Sequence, residues 1–477
     1  MRKHALTFTL AAAVSLVLAG CTMAPRYERP AAPVPDAWPS GAAYDQAQPS
    51  EKTAAELPWR EFIRDQKLQK VIEQALASNR DLRSALANIQ SARAQYRIQR
   101  SDLFPKINGQ ISASKQKSFN QFGGAGLGGT TFENEFYSAN VGLSAFEIDL
   151  FGRVRSLSNA ALQSYLATAE AGRATRISLI AETANAYLTL AADNSRYELA
   201  RRTLESAQRT MQVTQKRLEA GVSSRLDVRQ AETVYQQARA DLASTSALIA
   251  QDRNALELLT GGRIADELLP AELPENHQWL TDVPSGLSSS VLLARPDVLQ
   301  AEHQLMSANA NIGAARAAFF PRLSLTASTG LASPELSSLF DDGTSVWSIG
   351  PNLTLPIFQG GANVANLAYA NAQRDLYVSQ YELAIQTAFK EVADALAIRG
   401  TIQDQLSAQR ALVDAAADSY QLAEARYTKG VDTFLNALDA QRTLYNAEKS
   451  LVSARLTASN NVVTLYRVLG GGLAGEE

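Results

Sequence analysis

Ser101-Asp102-Leu103-Phe104-Pro105-Lys106-Ile107 is answered further along the chain by Ala317-Ala318-Phe319-Phe320-Pro321-Arg322-Leu323, with Asp81 and Asp297 standing at the same offset upstream. A second set repeats as well: Arg217, Gly221, Val222, Leu226, Asp227 and Ala231 align at one constant offset with Arg426, Gly430, Val431, Leu435, Asn436 and Ala440. The chain is therefore two copies of one plan, and such repetition has to be settled before a fold is assigned. Outward from each Phe-Pro junction the plan reads short helices, a strand, a loop, a strand, a long helix, a turn and a returning helix.

Proline placement sets the helices. No proline lies between Pro105 and Pro270, and none follows Pro356. Because proline removes an amide donor and breaks helices, both gaps permit very long ones. Over 153–220 the only interior glycine is Gly172, and Ala, Leu, Arg, Glu and Gln, the strong helix formers, dominate. At 1.5 Å per residue that helix approaches roughly 100 Å. Ile177, Ile180, Ala184, Tyr187 and Ala191 step by three and four, as do Ile385, Phe389, Val392 and Leu396, which is the seam of a coiled coil or bundle. The many alanines on these faces imply close helix neighbours.

The strands have period two. Ile107, Gly109, Ile111 and Ala113 alternate with polar residues, and Tyr137, Ala139, Val141, Leu143 and Ala145 do so in the partner. Between them, 120–135 is a loop holding Gly123, Gly124, Gly126, Gly128 and Gly129. The second half repeats the design with Leu323, Leu325 and Ala327, a loop over 334–344, and a strand over 347–358. Trp347 and Tyr137 suit an aromatic girdle; a pair of soluble hairpins is the plainer alternative. Four strands cannot close a transmembrane barrel when about eight are needed, so several chains must share one. Three chains give twelve strands with no exposed edge, and a dimer is the weaker rival.

The N-terminus sets the compartment. Arg2 and Lys3, an apolar run over 5–18, and Leu18-Ala19-Gly20-Cys21 form a secretory signal ending in a lipobox, so the mature chain is expected to start at an acylated Cys21, the single cysteine. Thr22 at the next position resembles the outer-membrane sort. An ordinary signal peptide with an accidental cysteine is the alternative. Residues 22–58 hold Pro25, Pro30, Pro33, Pro35, Pro39, Pro49 and Pro58 and read as an extended tether, either docked on the folded body or loose. One cysteine allows no internal disulfide, and His4, His277 and His303 cannot build a usual zinc site. A net charge of −3 argues against a nucleic-acid surface. After residue 18 no run of about 18 apolar residues recurs, so any crossing of a membrane falls to strands.

From Cys21 to Gly472 the chain resembles the TolC-like outer membrane factors. Glu147-Ile148-Asp149-Leu150-Phe151-Gly152-Arg153-Val154-Arg155 carries the resemblance, with Arg295-Pro296-Asp297, Ala301-Glu302-His303 and Asn311-Ile312-Gly313-Ala314-Ala315-Arg316-Ala317-Ala318-Phe319-Phe320-Pro321. Asp439-Ala440-Gln441-Arg442 and Leu469-Gly470-Gly471-Gly472 add to it, and the likeness is to the OprM-like lipoprotein branch that works beside resistance-nodulation-division pumps. The resemblance implies a mainly α fold with a membrane β-barrel: a TolC-like homotrimer, four strands per protomer in a shared twelve-stranded barrel, on a long α-helical periplasmic tunnel with an equatorial region. The implied order is a signal peptide (1–20), a lipid anchor and tether (21–58), a first repeat (59–275; strands in 104–150, helical hairpin 153–262) and a second (276–477; strands in 320–358, helical hairpin 361–469).

Site residues follow from the same resemblance. Ala220, Gly221 and Val222, with Lys429, Gly430 and Val431, are expected at two helix tips that meet a periplasmic adaptor, although each triplet alone is simply a tight turn. Leu435, Asp439 and Arg442, spaced four and three apart, share one helical face. The family match puts them at the channel constriction, where threefold symmetry turns each aspartate into a ring that favours cations; the plain alternative is an exposed salt-bridged face. Asp227 is expected to pair with Arg426 or Tyr427 as a gate, with Lys429 as a substitute for a basic residue that Thr428 replaces. Gly124-Ala125-Gly126-Leu127-Gly128 lacks the following helix a nucleotide loop needs, and neither Asp341-Asp342-Gly343 nor Glu219 with Asp227 forms a convincing acid and base pair. No catalysis and no cofactor beyond the covalent lipid are expected. The expected function is a passive exit duct that carries drugs and other toxic compounds from an inner-membrane pump, through the adaptor, across the outer membrane. A duct for type I protein secretion and a pore-less coiled-coil lipoprotein are the rivals.

Overall fold

A computed structural model describes residues 22–44, 57–120, 130–275, 279–281 and 288–472. Cys21, the signal region, His277 and the glycines at 123–129 lie outside the described residues. In chain order the elements are α1 (Trp59–Phe62), α2 (Gln66–Ser78), α3 (Arg80–Ser101), β1 (Ile107–Asn120), β2 (Thr130–Ile148), α4 (Arg153–Glu219) and α5 (Arg225–Thr260). They continue with α6 (Pro296–Ala317), β3 (Arg322–Ser333), β4 (Ser345–Thr354), α7 (Ala362–Thr428) and α8 (Phe434–Val468). The two long helices, α4 and α7, have 67 residues each. No helix among the described residues is long and apolar enough to cross a membrane.

Two compact units are distinguished. Unit 1 takes Met1–Pro30, Ile89–Thr168 and Ala301–Tyr381, and unit 2 takes Ala31–Asn88, Ala169–Gln300 and Glu382–Glu477. Each unit thus draws on both halves of the sequence.

Unit 1 holds one antiparallel sheet in the order β1-β2-β3-β4. Register pairs Ile107 with Leu143, Ile111 with Ala139, Leu143 with Ala327, and Ala327 with Ile349, so most apolar residues of the four strands share one face, with Phe136 and Val346 on the other. That face is open: Ile111 is 85% exposed, Trp347 76% and Ile349 61%. The opposite face carries serine pairs, Ser112 with Ser138 and Ser328 with Ser348, each at 2.8 Å between hydroxyl oxygens. The expected alternation fails at one residue. Between Leu143 and Phe146 β2 has one residue more than β3, and Ala145 there has φ +49°. This β-bulge takes Ala145 out of the apolar row and brings Phe146 and Ile148 into it, opposite Leu325 and Leu323.

Unit 2 is a helix bundle whose core is the expected seam. Ile177, Ile180, Ala184, Tyr187 and Ala191 of α4 are buried, as are Ile385 and Val392 of α7, while Phe389 and Leu396 are half-buried. Phe389 instead receives Trp38 of the tether, stacked at 5.1 Å between ring centroids. The hydroxyl and amide of Ser289 donate to the carbonyls of Pro35 and Asp36 at 2.7 and 3.0 Å. The described tether is therefore docked, without helix or strand. Stacking of Phe62 on Tyr466, 3.9 Å apart, closes α1 against α8.

Arg295 ties the start of α6 to the two C-terminal helices. Its guanidinium, 7% exposed, donates to Asp297 at 2.7 and 3.0 Å, to Glu391 at 2.8 Å and to the Val468 carbonyl at 2.9 Å. Arg295→Met should destabilise the protein by about 2–3 kcal/mol, below the cost of a fully buried pair because Asp297 keeps solvent. A denaturant titration of the purified protein checks it; an unchanged midpoint would count against the tie.

Candidate functional site

Both tips end in the same hydrogen-bond pattern. At the end of α4, the Val222 amide donates to the Arg217 carbonyl and the Gly221 amide to Leu218, both at 2.9 Å. At the end of α7, Val431 donates to Arg426 at 2.9 Å and Gly430 to Tyr427 at 3.0 Å. These are Schellman closures, which need a left-handed residue at the glycine position; Gly221 has φ +74° and Gly430 φ +72°. A Cβ at either would meet nothing within 4 Å. Ala220, Gly221, Val222, Lys429, Gly430 and Val431 are all exposed, so two apolar residues, Val222 and Val431, stand in solvent beside bare backbone.

The returning helices start differently. Ser224 caps α5 through its hydroxyl, which accepts from the Asp227 amide at 3.1 Å, and the Asp227 carboxylate accepts from the Ser224 amide at 2.8 Å and the Ser223 hydroxyl at 2.9 Å. This is a capping box. Burial pushes the Asp227 carboxyl up, but these hydrogen bonds and the nearby Arg217 outweigh it, and its pKa falls below the ordinary aspartate value. At α8 the work passes to Asp432, which accepts from the Thr433 amide and Asn436 side chain at 2.8 and 2.7 Å and from Arg426 at 3.1 Å. Those partners hold its carboxyl low too.

Among the described residues of one chain, then, Asp227 is engaged by Ser223 and Ser224 and Arg426 by Asp432, and neither Arg426 nor Tyr427 bonds to Asp227. Tyr427 is buried in a cluster with Ala231, Phe434, Ala437 and Leu438 that joins the two tips. The Arg217 guanidinium lies over its ring at 4.8 Å, a cation–π contact. Arg217, Ser223, Ser224 and Asp432 are tip residues that sequence reasoning did not single out as functional. Ser224 three residues before Asp227 was a legible cap signal; the Arg217 contact, more than 200 residues apart in sequence, had none.

On α8, Phe434, Ala437, Leu438 and Gln441 form the buried face. Leu435, Asp439 and Arg442 stand together on the other, all exposed. Asp439 makes no ion pair among the described residues, so the exposed salt-bridged face is not what this stripe forms within one chain.

The outer membrane efflux protein family model matches residues 71–262 and 287–471. The chain belongs to that family. Similar relatives include the toluene efflux pump outer membrane protein TtgC and the antibiotic efflux pump outer membrane protein ArpC, both of Pseudomonas putida. Each is 46% identical over 462 residues, 97% of this chain and 94% of the relative. The solved open state of the Neisseria gonorrhoeae outer membrane channel MtrE superposes with a TM-score of 0.85 at 39% identity, covering 95% of this chain and 99% of that one. Membership of the outer membrane efflux protein family agrees with a sheet whose apolar face is exposed and with two glycine-tipped helical hairpins. It also makes this chain an outer-membrane efflux component, in a family of ducts and not of enzymes.

Proposed function

We propose that three copies of this chain pool their sheets into one barrel and their hairpins into one tube, a passive exit for drugs and toxic solvents. One observation carries this reading: the sheet exposes an apolar face and leaves β1 and β4 each with an unpaired edge among the described residues. Such edges are a liability that closure removes, and the polar serine face then lines water. The apolar row on β3, from Leu323 to Leu331, spans about 26 Å along the strand, on the scale of a barrel's membrane band. The names of the relatives supply the substrate class, antibiotics and toluene. An acylated Cys21 holds each protomer to the membrane. A periplasmic adaptor at the exposed tips and an inner-membrane pump of the resistance-nodulation-division type supply opening and energy. The chain itself moves no charge and carries out no catalysis. Deleting the gene should sensitise the host to apolar antibiotics and solvents, and plasmid-borne wild type should restore resistance; an unchanged susceptibility profile would refute the export role.

The constriction is assigned to Leu435, Asp439 and Arg442, which three copies would repeat around the axis. Three unpaired Asp439 carboxylates facing one another create a field that attracts cations. Asp439→Ala channels in planar bilayers should lose most of their cation preference and change conductance by roughly twofold. Unaltered selectivity would remove Asp439 from the constriction.

A further inference from the structure

Glu302 is a carboxylate that its own helix leaves without a counter-charge. Its side chain is 3% exposed, and Tyr381, close enough to feel its charge, is fully enclosed. Among the described residues, every group that hydrogen-bonds or pairs with the carboxylate comes from the segment just after Cys21. Arg29 donates from Nε to Oε1 at 2.7 Å and from Nη2 to Oε2 at 2.8 Å, and the Tyr27 hydroxyl donates to Oε1 at 3.0 Å. Further along α6, Asn309 donates to the Pro25 carbonyl at 2.8 Å and Arg316 to the Met23 carbonyl at 3.3 Å. At Gly313 the backbone of Ala24 comes so near that a Cβ would stand 2.7 Å from its nitrogen and 2.7 Å from Ser156 Oγ. The Thr22 hydroxyl lies 3.5 Å from that same Ser156 oxygen. Glu302, Asn309, Gly313 and Arg316 step by seven, four and three, one continuous stripe of α6.

We propose that this stripe is a built binding site for the chain's own N-terminal strap, locked by Arg29 on Glu302, that fixes where the anchored Cys21 stands and makes completion of unit 1 wait for the strap. The placement half rests on the lipid-anchor reading above. A free tether of the length of 22–58 would let its end wander over roughly 30 Å. The described strap ends at Thr22, the residue after Cys21, with its hydroxyl beside Ser156 in the first turn of α4. The completion half follows from charge. With the strap docked Glu302 is enclosed, so a strap that closed over it without Arg29 would bury a carboxylate with no cation, the arrangement most costly to leave unpaired. Arrival of Arg29 removes that penalty, and its fork geometry admits the strap in one register.

Three variants of the full-length protein test this: Arg29→Ala, Glu302→Gln, and both together. Limited trypsin digestion after Arg26, an exposed residue, reads strap release. The heat-modifiable band reads assembly, and mass spectrometry of the N-terminal peptide reads acylation. Arg29→Ala should be cut roughly tenfold faster than wild type and assemble several-fold less well, because a buried charge has lost its partner. Glu302→Gln should also be cut faster yet assemble nearly as wild type. The double variant should recover the assembly of Glu302→Gln, with Cys21 acylated equally throughout. Wild-type strap protection in Arg29→Ala, or a double variant no better assembled than Arg29→Ala, overturns the lock. An unacylated Cys21 in the wild type overturns the placement half and the anchor reading together, while the protease result still decides the lock.

Discussion

Channels carrying Gly221→Trp or Gly430→Trp are expected to assemble normally, reach the outer membrane in wild-type amount and export nothing. Both glycines hold left-handed backbone, and nothing lies within 4 Å of a Cβ built there. An L side chain in that conformation costs about 1–2 kcal/mol, paid locally in a solvent-exposed turn, so the bundle beneath stays intact. What changes is the surface: an indole now covers the backbone between Val222 or Val431 and the neighbouring helix end, where the adaptor is proposed to sit. Gly221→Asn and Gly430→Asn separate strain from bulk, since asparagine tolerates the same conformation, and these should keep most of the activity. Accumulation of a fluorescent pump substrate in cells, normalised to outer-membrane protein, measures it. Wild-type export by both tryptophan variants would remove the tips from the adaptor interface.

Ile349→Lys is expected to abolish the channel, while Ser348→Lys next to it should leave assembly intact. Ile349 pairs with Ala327 near the middle of the apolar row, and Ser348 pairs with Ser328 on the opposite face. A lysine at the bilayer midplane of a barrel costs about 2–4 kcal/mol, and three copies in one barrel bring about 6–12 kcal/mol, comparable with the whole stability of a domain. On the polar face the ammonium meets water, and the expected effect is a lower cation conductance. The heat-modifiable band in outer-membrane fractions reports the difference. Equal tolerance of both lysines would mean that the apolar face does not contact lipid.

Much of this architecture was legible because it rests on local periodicity. The alternation around Ile107, Ile111 and Trp347, the proline gaps and the duplicated glycines each report a backbone preference that nearby residues determine. The bulge at Ala145 escaped because one extra residue in a strand looks like ordinary alternation until the partner strand counts two where β2 counts three. Asp227 illustrates another limit. Within one chain its carboxylate is taken by Ser223 and Ser224, a cap legible three residues upstream, and the pairing with Arg426 or Tyr427 that the resemblance implies is not made there. The Arg217 contact with Tyr427 and the Arg29 lock on Glu302 join residues more than 200 positions apart, and no pattern in either segment announces the other. Whether the proline-rich tether docks could not be read for the same reason: Ser289 and Phe389, which hold 35–38, and the stripe of α6, which holds 23–29, lie more than 200 positions further along the chain.

Native mass spectrometry of the protein released from detergent counts the chains in one particle most directly. A single species of three chains, converting to one chain only on heating, is the expected spectrum. A particle of one chain that stays in solution without detergent would contradict the shared barrel and, with it, the duct.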